Sequence, residues 1–511
     1  MEKIIYVNIQ DPQASDQNPG TDELPLKTIS KAAEIAIENK KQNIGTKIII
    51  YPGTYRESIK LEFSSRETDA PAIFEAKEKG SAIISGSDIW DGWKRQGNTD
   101  IYTNSWPYKW GLAPYPGGWE RQVVLEPIVR RREMIFANGK LLEQVLSYQE
   151  LKEGSFYVSE EEETAYVWIP SGTTIENTTI EVATRSSLFY MNGKRSVILR
   201  GLTFQHDNTP LQGSAVRVNG SSNILVEDCA FIWNNWGGFG FWVSQNVAAR
   251  RNVANHNGAV GMTAWRVKNL LFEDNETSYN NWRGVRGGFT GWAAAGLKHL
   301  RVHDGIYRRH ISAGNQARGF WLDSDNATIL IEKAFLCKNL INGIFIEANQ
   351  GPITIKDSII CHNQKDAGIL TANSSNVVLE NNILYGNGRS QIRVTGNIER
   401  SETNWETGEK MTLRVERWLL KNNAIVGKNR TQFPLETPDW KHFLGSLASG
   451  GNLWYNPENK RAFKIGGKGL DLSGWQSTTR QDLDSIFADP RFIDPDNNQF
   501  DLLPDSPLLG R

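Results

Sequence analysis

Two acids occupy matching places in neighbouring strings, Gly319-Phe-Trp-Leu-Asp323 and Gly343-Ile-Phe-Ile-Glu347. Each lies eight residues after an asparagine, Asn315 for Asp323 and Asn339 for Glu347. Side chains alternate along a strand, so Leu322 and Ile346 point to one side and Trp321, Asp323, Phe345 and Glu347 to the other. If the two strings form adjacent parallel rungs, the acids start about 4.8 Å apart. Double displacement at a sugar anomeric carbon needs carboxyl groups about 5–5.5 Å apart, whereas inversion needs about 6.5–9.5 Å to admit a water. The spacing therefore predicts retention. Two carboxylates this close do not both ionise cheaply, so one is expected to donate a proton while the other attacks. Counting back from Asn315 puts His299 in the preceding rung, or Lys298 if the register slips by one, and either would help keep the nucleophile ionised. Counting forward reaches Thr371 and Ala372. The outward Trp321 and the polar Asp325, Asn326, Asn349 and Gln350 mark this face as a sugar site, with Trp265, Trp292 and Arg393 as further candidates for its lining. This chemistry calls for no metal and no cofactor.

An asparagine repeat says what must position these residues. Asn257, Asn281, Asn315, Asn339, Asn363 and Asn387 follow one another at 24, 34, 24, 24 and 24 residues. Short β-branched runs lie between them, such as residues 329–331, 353–355 and 377–379, each followed by a second run such as 359–360 or 383–384. Short strands punctuated at every turn by Gly and Asn suit a coil of three strands, and no long 3.6-periodic segment supports a helical solenoid. The expected fold is all-β, a right-handed parallel β-helix. Inward ladders would be apolar. The asparagines would stack as an amide ladder, bonding backbone groups where the chain bends in the left-handed region. Cys337 and Cys361, also 24 apart, should stack as two small buried thiols and not as a bond or a metal site.

The ends and two irregularities complete the plan. Residues 25–40 place Ile29, Ala33, Ala36 and Ile37 on one face of a helix that caps the first coils, followed by a strand at 48–51. Residues 1–88 are read as cap and first coils, 89–187 as an inserted β-sandwich-like subdomain rich in Trp and Tyr, 188–430 as the central helix with the catalytic face, and 431–511 as the last coils and C-terminal cap. Each Trp of the insertion (Trp90, Trp93, Trp106, Trp110, Trp119) either walls the active site or packs the insertion's own core. The 34-residue coil holds ten extra residues within 283–296, and such extra residues form a loop on one face, often the binding face.

Composition limits the partners. Lys+Arg 57 against Asp+Glu 58 gives a net charge of −1, which supplies no electrostatic case for nucleic acid or an anionic membrane. No apolar run approaches the length of a spanning helix. The N-terminus reads as a strand and not a signal peptide, and three cysteines in 511 residues fit a reducing compartment, so a cytoplasmic location is expected. The expected partner is a small oligosaccharide or glycoside. Oligomeric state is not legible.

The residues that carry these readings also carry a resemblance. Arg283-Gly284, Gly291-Trp-Ala-Ala-Ala-Gly-Leu-Lys298, Trp321-Leu-Asp-Ser-Asp-Asn326 and Phe345-Ile-Glu347 resemble the β-helix glycoside hydrolases of family 120. These are retaining β-xylosidases with an inserted β-sandwich subdomain. The resemblance implies Asp323 as nucleophile and Glu347 as acid/base, acting in exo fashion. After the Trp the family pattern carries an acidic sugar contact where this chain has Ala293-Ala-Ala295, which implies either a different hydroxyl pattern in the substrate or a weaker site. Two other classes share the fold. A polysaccharide lyase or epimerase would need a base such as Lys298 or Arg393 and often Ca²⁺, which Asp323, Asp325 and Asp304 would have to hold. A non-catalytic carbohydrate-binding β-helix would need outward aromatics but no stacked acids.

Overall fold

The structure is a computed structural model that describes residues 2–509. The chain forms a parallel β-helix and divides into two compact units: Met1–Gly240 with Asn252–Gly261 and Asn281–Ala293, and Phe241–Arg251 with Met262–Asn280 and Ala294–Arg511. Among the described residues no helix is long and apolar enough to cross a membrane.

The first unit begins with the strand Glu2–Val7, which pairs in parallel with Gly45–Ile50. That strand pairs with Ala72–Ala76, which pairs in turn with Arg195–Arg200. The helix Ile29–Lys41 packs on these first strands. Thr28 caps its N-terminus by accepting from the Lys31 amide at 3.1 Å. Its buried face is Ile29, Ala32, Ala33 and Ala36, whereas Ile37 is only half-buried, so the apolar stripe sits one position off the one expected.

Neighbouring rungs Ala72–Ala76 and Arg195–Arg200 are far apart in sequence because an insertion leaves and re-enters the coil between them. It runs from Ser87–Ile89 to Ile180–Ala183 and consists of a four-stranded and a five-stranded sheet, mostly antiparallel. The strands' alternate side chains (Phe156, Val158, Ala165, Val167, Val182 and Trp106) form one core, with Trp90, Trp93 and Trp110 packed against it. Most of the tryptophans of this segment therefore serve its own packing. Trp119 does not: its ring meets Trp292 edge-on at 5.7 Å and Phe289 at 6.3 Å. Residues 283–293 of the inserted loop belong to the same unit. Arg283, fully buried, donates to Gln144 Oε1 at 2.7 Å and to the Glu133 carbonyl at 2.8 Å.

The second unit stacks three columns of short parallel strands. One column runs through Ala295–Arg308, Arg318–Asp323, Ile344–Glu347, Ala367–Ala372 and Ser390–Thr395. Another runs through Ala327–Glu332, Ile353–Lys356, Val377–Glu380 and Trp418–Lys421. The third includes Phe335–Cys337, Ile359–Cys361 and Ile383–Tyr385. The β-branched runs make in-register inward ladders such as Ile329, Ile353 and Val377, all buried. Stacked identical residues remove apolar surface from water rung after rung, which rewards a strict repeat.

Amides close one corner. Asn315 donates to Asn339 Oδ1 at 2.8 Å, Asn339 to Asn363 at 3.0 Å, Asn363 to Asn387 at 2.8 Å, and Asn387 to Gln391 at 2.7 Å. One detail differs from expectation. The residue that joins this ladder before Asn315 is Asn280, bonded at 3.0 Å, and not Asn281. Asn281 donates instead to the Phe289 carbonyl at 2.8 Å and so pins the inserted loop. The chain bends in the left-handed region at the residue before each of these ladder asparagines: Gly314, Lys338, His362 and Gly386 have φ of 64°, 61°, 52° and 61°.

The cysteines correct a further expectation. Cys337 and Cys361 are bonded as a disulfide, with Cα atoms 4.6 Å apart. They occupy directly paired positions on adjacent strands, so both thiols point the same way within bonding reach. A bonded pair removes one of the arguments for a reducing compartment. Cys229 is the free, buried thiol among the described residues.

Candidate active site

Asp323 ends the strand Arg318–Asp323, and Glu347 ends the next rung, Ile344–Glu347. Leu322 pairs with Ile346, both fully buried, which sets the two acids on the outer face of successive rungs. Both are partly exposed, with side-chain exposures of 17% and 21%. The rung beyond presents Ala372 and then Thr395 at the same position.

The register on the other side settles which cation lies beside Asp323. Leu300 pairs with Asp323, His299 with Leu322 and Lys298 with Trp321. Lys298 thus shares the outward face, and its Nζ lies 2.8 Å from Asp323 Oδ2. His299 shares the inward one. It is fully buried, with Nδ1 2.7 Å from the Tyr307 hydroxyl and its ring against Phe272 and Phe320. Burial among apolar rings pushes its pKa far down. His299 is therefore a core residue, neither the cation beside Asp323 nor open to substrate, and the expectation that it flanks the nucleophile is corrected.

Asp323 is held as an anion. Burial alone would push its pKa up. The Lys298 charge and hydrogen bond, with the Ser324 amide at 2.8 Å and hydroxyl at 3.2 Å, outweigh that and keep it below the usual carboxylate range. Glu347 sits differently: Trp321 Nε1 donates to its Oε2 at 3.2 Å, and Arg400 Nη1 to its Oε1 at 2.9 Å.

Trp321 is only 5% exposed, so its face is not open to a sugar ring. Lys298 Nζ lies 3.6 Å and the Arg318 guanidinium 4.4 Å from its ring centre, and Phe345 packs beside it at 5.4 Å. Trp321 aligns the two cations and one acid. It does not offer a stacking surface.

The residues the sequence reading missed come from a hairpin, Arg400–Thr403 with Lys410–Leu413. Its Arg400 donates to Glu402 Oε1 at 3.0 Å as well as to Glu347, and the Ser324 hydroxyl lies 3.3 Å from Glu402 Oε1. A guanidinium and a hydroxyl thus join Asp323, Glu347 and Glu402 in one network. A signal was present. Asn382 bonds Asn423 in another amide ladder 41 residues further on, where regular rungs are 24 apart. The extra residues form this hairpin, by the same rule that singled out the 283–296 loop.

Asp325 and Gln350 anchor the hairpin and do not line the acids. Asp325 is fully buried; its carboxylate accepts from the Trp405 amide at 2.7 Å and from Gln350 Nε2 at 2.9 Å. With both oxygens committed, it is an anchor and not the expected sugar ligand. Arg393 is also committed elsewhere, 2.6 Å from Asp366 and 3.8 Å from Glu436. Trp265 is half-buried, with the Arg266 guanidinium 4.6 Å from its ring centre. Trp292 belongs to the first unit, packed on Trp119.

His303 completes the anchor. Its Nδ1 is 3.0 Å from Glu406 Oε2 on the hairpin and its Nε2 3.5 Å from Asp325 Oδ1, while Glu406 also pairs with Lys268. Burial would push the His303 pKa down, but its bonds to Asp325 and Glu406 outweigh this and hold it above the ordinary value. A raised pKa makes the anchor's contribution full below the unfolded value, about 6.5, and lost as pH rises through the higher folded value. Hydrogen exchange of amides 400–413, corrected for intrinsic pH effects, should therefore show more protection at pH 6 than at pH 8.5. In His303→Gln that difference should vanish.

The sequence family described as "Right handed beta helix region" matches residues 164–289. One curated relative, the uncharacterised protein YwoF of Bacillus subtilis, is 34% identical over 85 residues. That match spans 17% of this chain and 16% of YwoF. Among solved structures, "The complex structure of XylC with xylose" aligns over 96% of this chain and 87% of its own, with a TM-score of 0.69 at 16% identity. The A-module of the Azotobacter vinelandii mannuronan C-5 epimerase AlgE6 aligns over 95% and 100%, with a TM-score of 0.54 at 14% identity. What these similarities have in common with this chain is the right-handed β-helix fold.

Proposed function

We propose that the chain is a retaining glycoside hydrolase acting on small oligosaccharides or glycosides, in the manner of a β-xylosidase. The observation that carries this reading is the placing of Asp323 and Glu347 on the outer face of successive rungs, with Lys298 on the first and Arg400 and Trp321 on the second. Strands one rung apart start their side chains about 4.8 Å from each other, within reach of the separation of about 5–5.5 Å used in double displacement. Asp323, kept anionic by Lys298 and Ser324, attacks the anomeric carbon and forms a glycosyl ester. Glu347 protonates the departing glycosidic oxygen. It then takes a proton from the water that attacks the same carbon, so the ester is hydrolysed and the configuration restored. The likeness in fold to XylC, solved with xylose, supports a pentose glycone.

The likeness to the AlgE6 module keeps an epimerase or lyase as the second reading. The site argues against it: its Lys298 and Arg400 are both committed to carboxylates and not poised as bases. A panel of aryl glycosides, followed by NMR of the first-formed sugar, tests the proposal. The expected result is release of a reducing sugar of the substrate's own anomeric configuration. Inversion, or an unsaturated product absorbing in the ultraviolet, would overturn it.

A further inference from the structure

Glu347 accepts from two groups that can only donate. Arg400 Nη1 occupies Oε1 and Trp321 Nε1 occupies Oε2. A general acid must carry a proton on one of these oxygens and aim it at the leaving group; each oxygen has two acceptor sites, and while Arg400 stays it takes one of those on Oε1. Arg400 has a second partner, Glu402 on its own hairpin, 3.0 Å away. The other charged groups around Glu347 are Asp323 and Arg318 from the preceding rung and Lys298 from the rung before that.

Resting on the hydrolase reading above, we infer that Arg400 is a positioning residue that blocks the acid form of Glu347 in the empty site and releases it by moving its hydrogen bonds to Glu402. Substrate entering between the acids displaces Arg400 from Oε1. Glu402 receives the guanidinium, so its charge is never left unpaired. Glu347 then takes up a proton from solvent before the leaving group departs. The gate couples occupancy of the site to readiness of the acid.

The two partners of Arg400 make opposite predictions. Arg400→Gln removes the positive charge from Glu347. The alkaline limb of the kcat/KM profile should move up by about one pH unit, and so should the pH at which a carbodiimide half-labels Glu347, read by peptide mass spectrometry. Glu402→Gln removes the competing anion and leaves Arg400 on Glu347, so both should move down. Arg400→Lys keeps the charge and should restore most of the wild-type profile. Shifts in the same direction for both variants, or none in either, overturn the inference, since a merely structural hairpin would not produce shifts of opposite sign. Opposite labelling shifts in a protein that hydrolyses no glycoside would uphold the interaction and sink the hydrolase reading. Unmoved labelling in an active enzyme would do the reverse.

Discussion

Asp323→Ala is expected to lose at least about 10⁴-fold in kcat on every glycoside the wild type cleaves, because in the proposed mechanism Asp323 supplies the nucleophile of the step that makes the glycosyl ester. Asp323→Asn should be nearly as inactive while preserving shape. The Ser324 amide still finds an oxygen, and only the ion pair with Lys298 is lost. Ground-state binding should survive, so KM should change far less than kcat. Azide makes the test specific. It is small enough to enter the space left in Asp323→Ala and attacks the anomeric carbon once, so the product should be a glycosyl azide of inverted configuration. In the wild type, a 2-fluoro analogue of the best substrate should add its glycosyl mass to the Asp323 peptide. Full activity in Asp323→Asn, with an unchanged melting temperature, would remove Asp323 from the chemistry.

What made this site legible was periodicity, and what hid the rest was the loss of it. Strict 24-residue spacing determines which residues share a rung and which side they face. Asp323, Glu347 and the inward Leu322 and Ile346 could therefore be placed by counting. The same counting errs one rung earlier, where the step to Asp323 is 23 residues and not 24, and it puts His299 where Leu300 stands. A shift of one residue in a strand exchanges inside for outside, which is why counting places a core histidine beside the nucleophile. Lys298 reaches Asp323 because it stands two positions before Leu300, Asp323's own partner, and so shares the outer face. Arg400 and Glu402 lie on a hairpin outside the repeat, so no rung assigns their direction. Asp325 was misread for a different reason. Outward polarity in the sequence does not distinguish a ligand for sugar from an anchor for a loop that folds over it, and the Trp405 amide and Gln350 make it the second. The cysteines show the converse: paired register alone was enough to predict contact, but not the bond.

Glu347→Ala should divide substrates by leaving group. With alkyl or sugar leaving groups, loss of the proton donor should cost about 10²–10⁴-fold in kcat/KM. With a dinitrophenyl leaving group, which departs without a proton, ester formation should proceed at close to the wild-type rate. The second step then lacks a base to activate water, so the glycosyl ester on Asp323 should accumulate. A fast burst of phenol followed by a slow steady rate is the expected trace. Azide attacks that ester without needing a base, so it should raise the steady rate and yield a glycosyl azide of retained configuration, opposite to the product from Asp323→Ala. The contrast in stereochemistry assigns the two roles without reference to rates. A Glu347→Ala enzyme that is equally slow on activated and unactivated glycosides, and indifferent to azide, would mean that this acid aligns the site through Trp321 and Arg400 and transfers no proton.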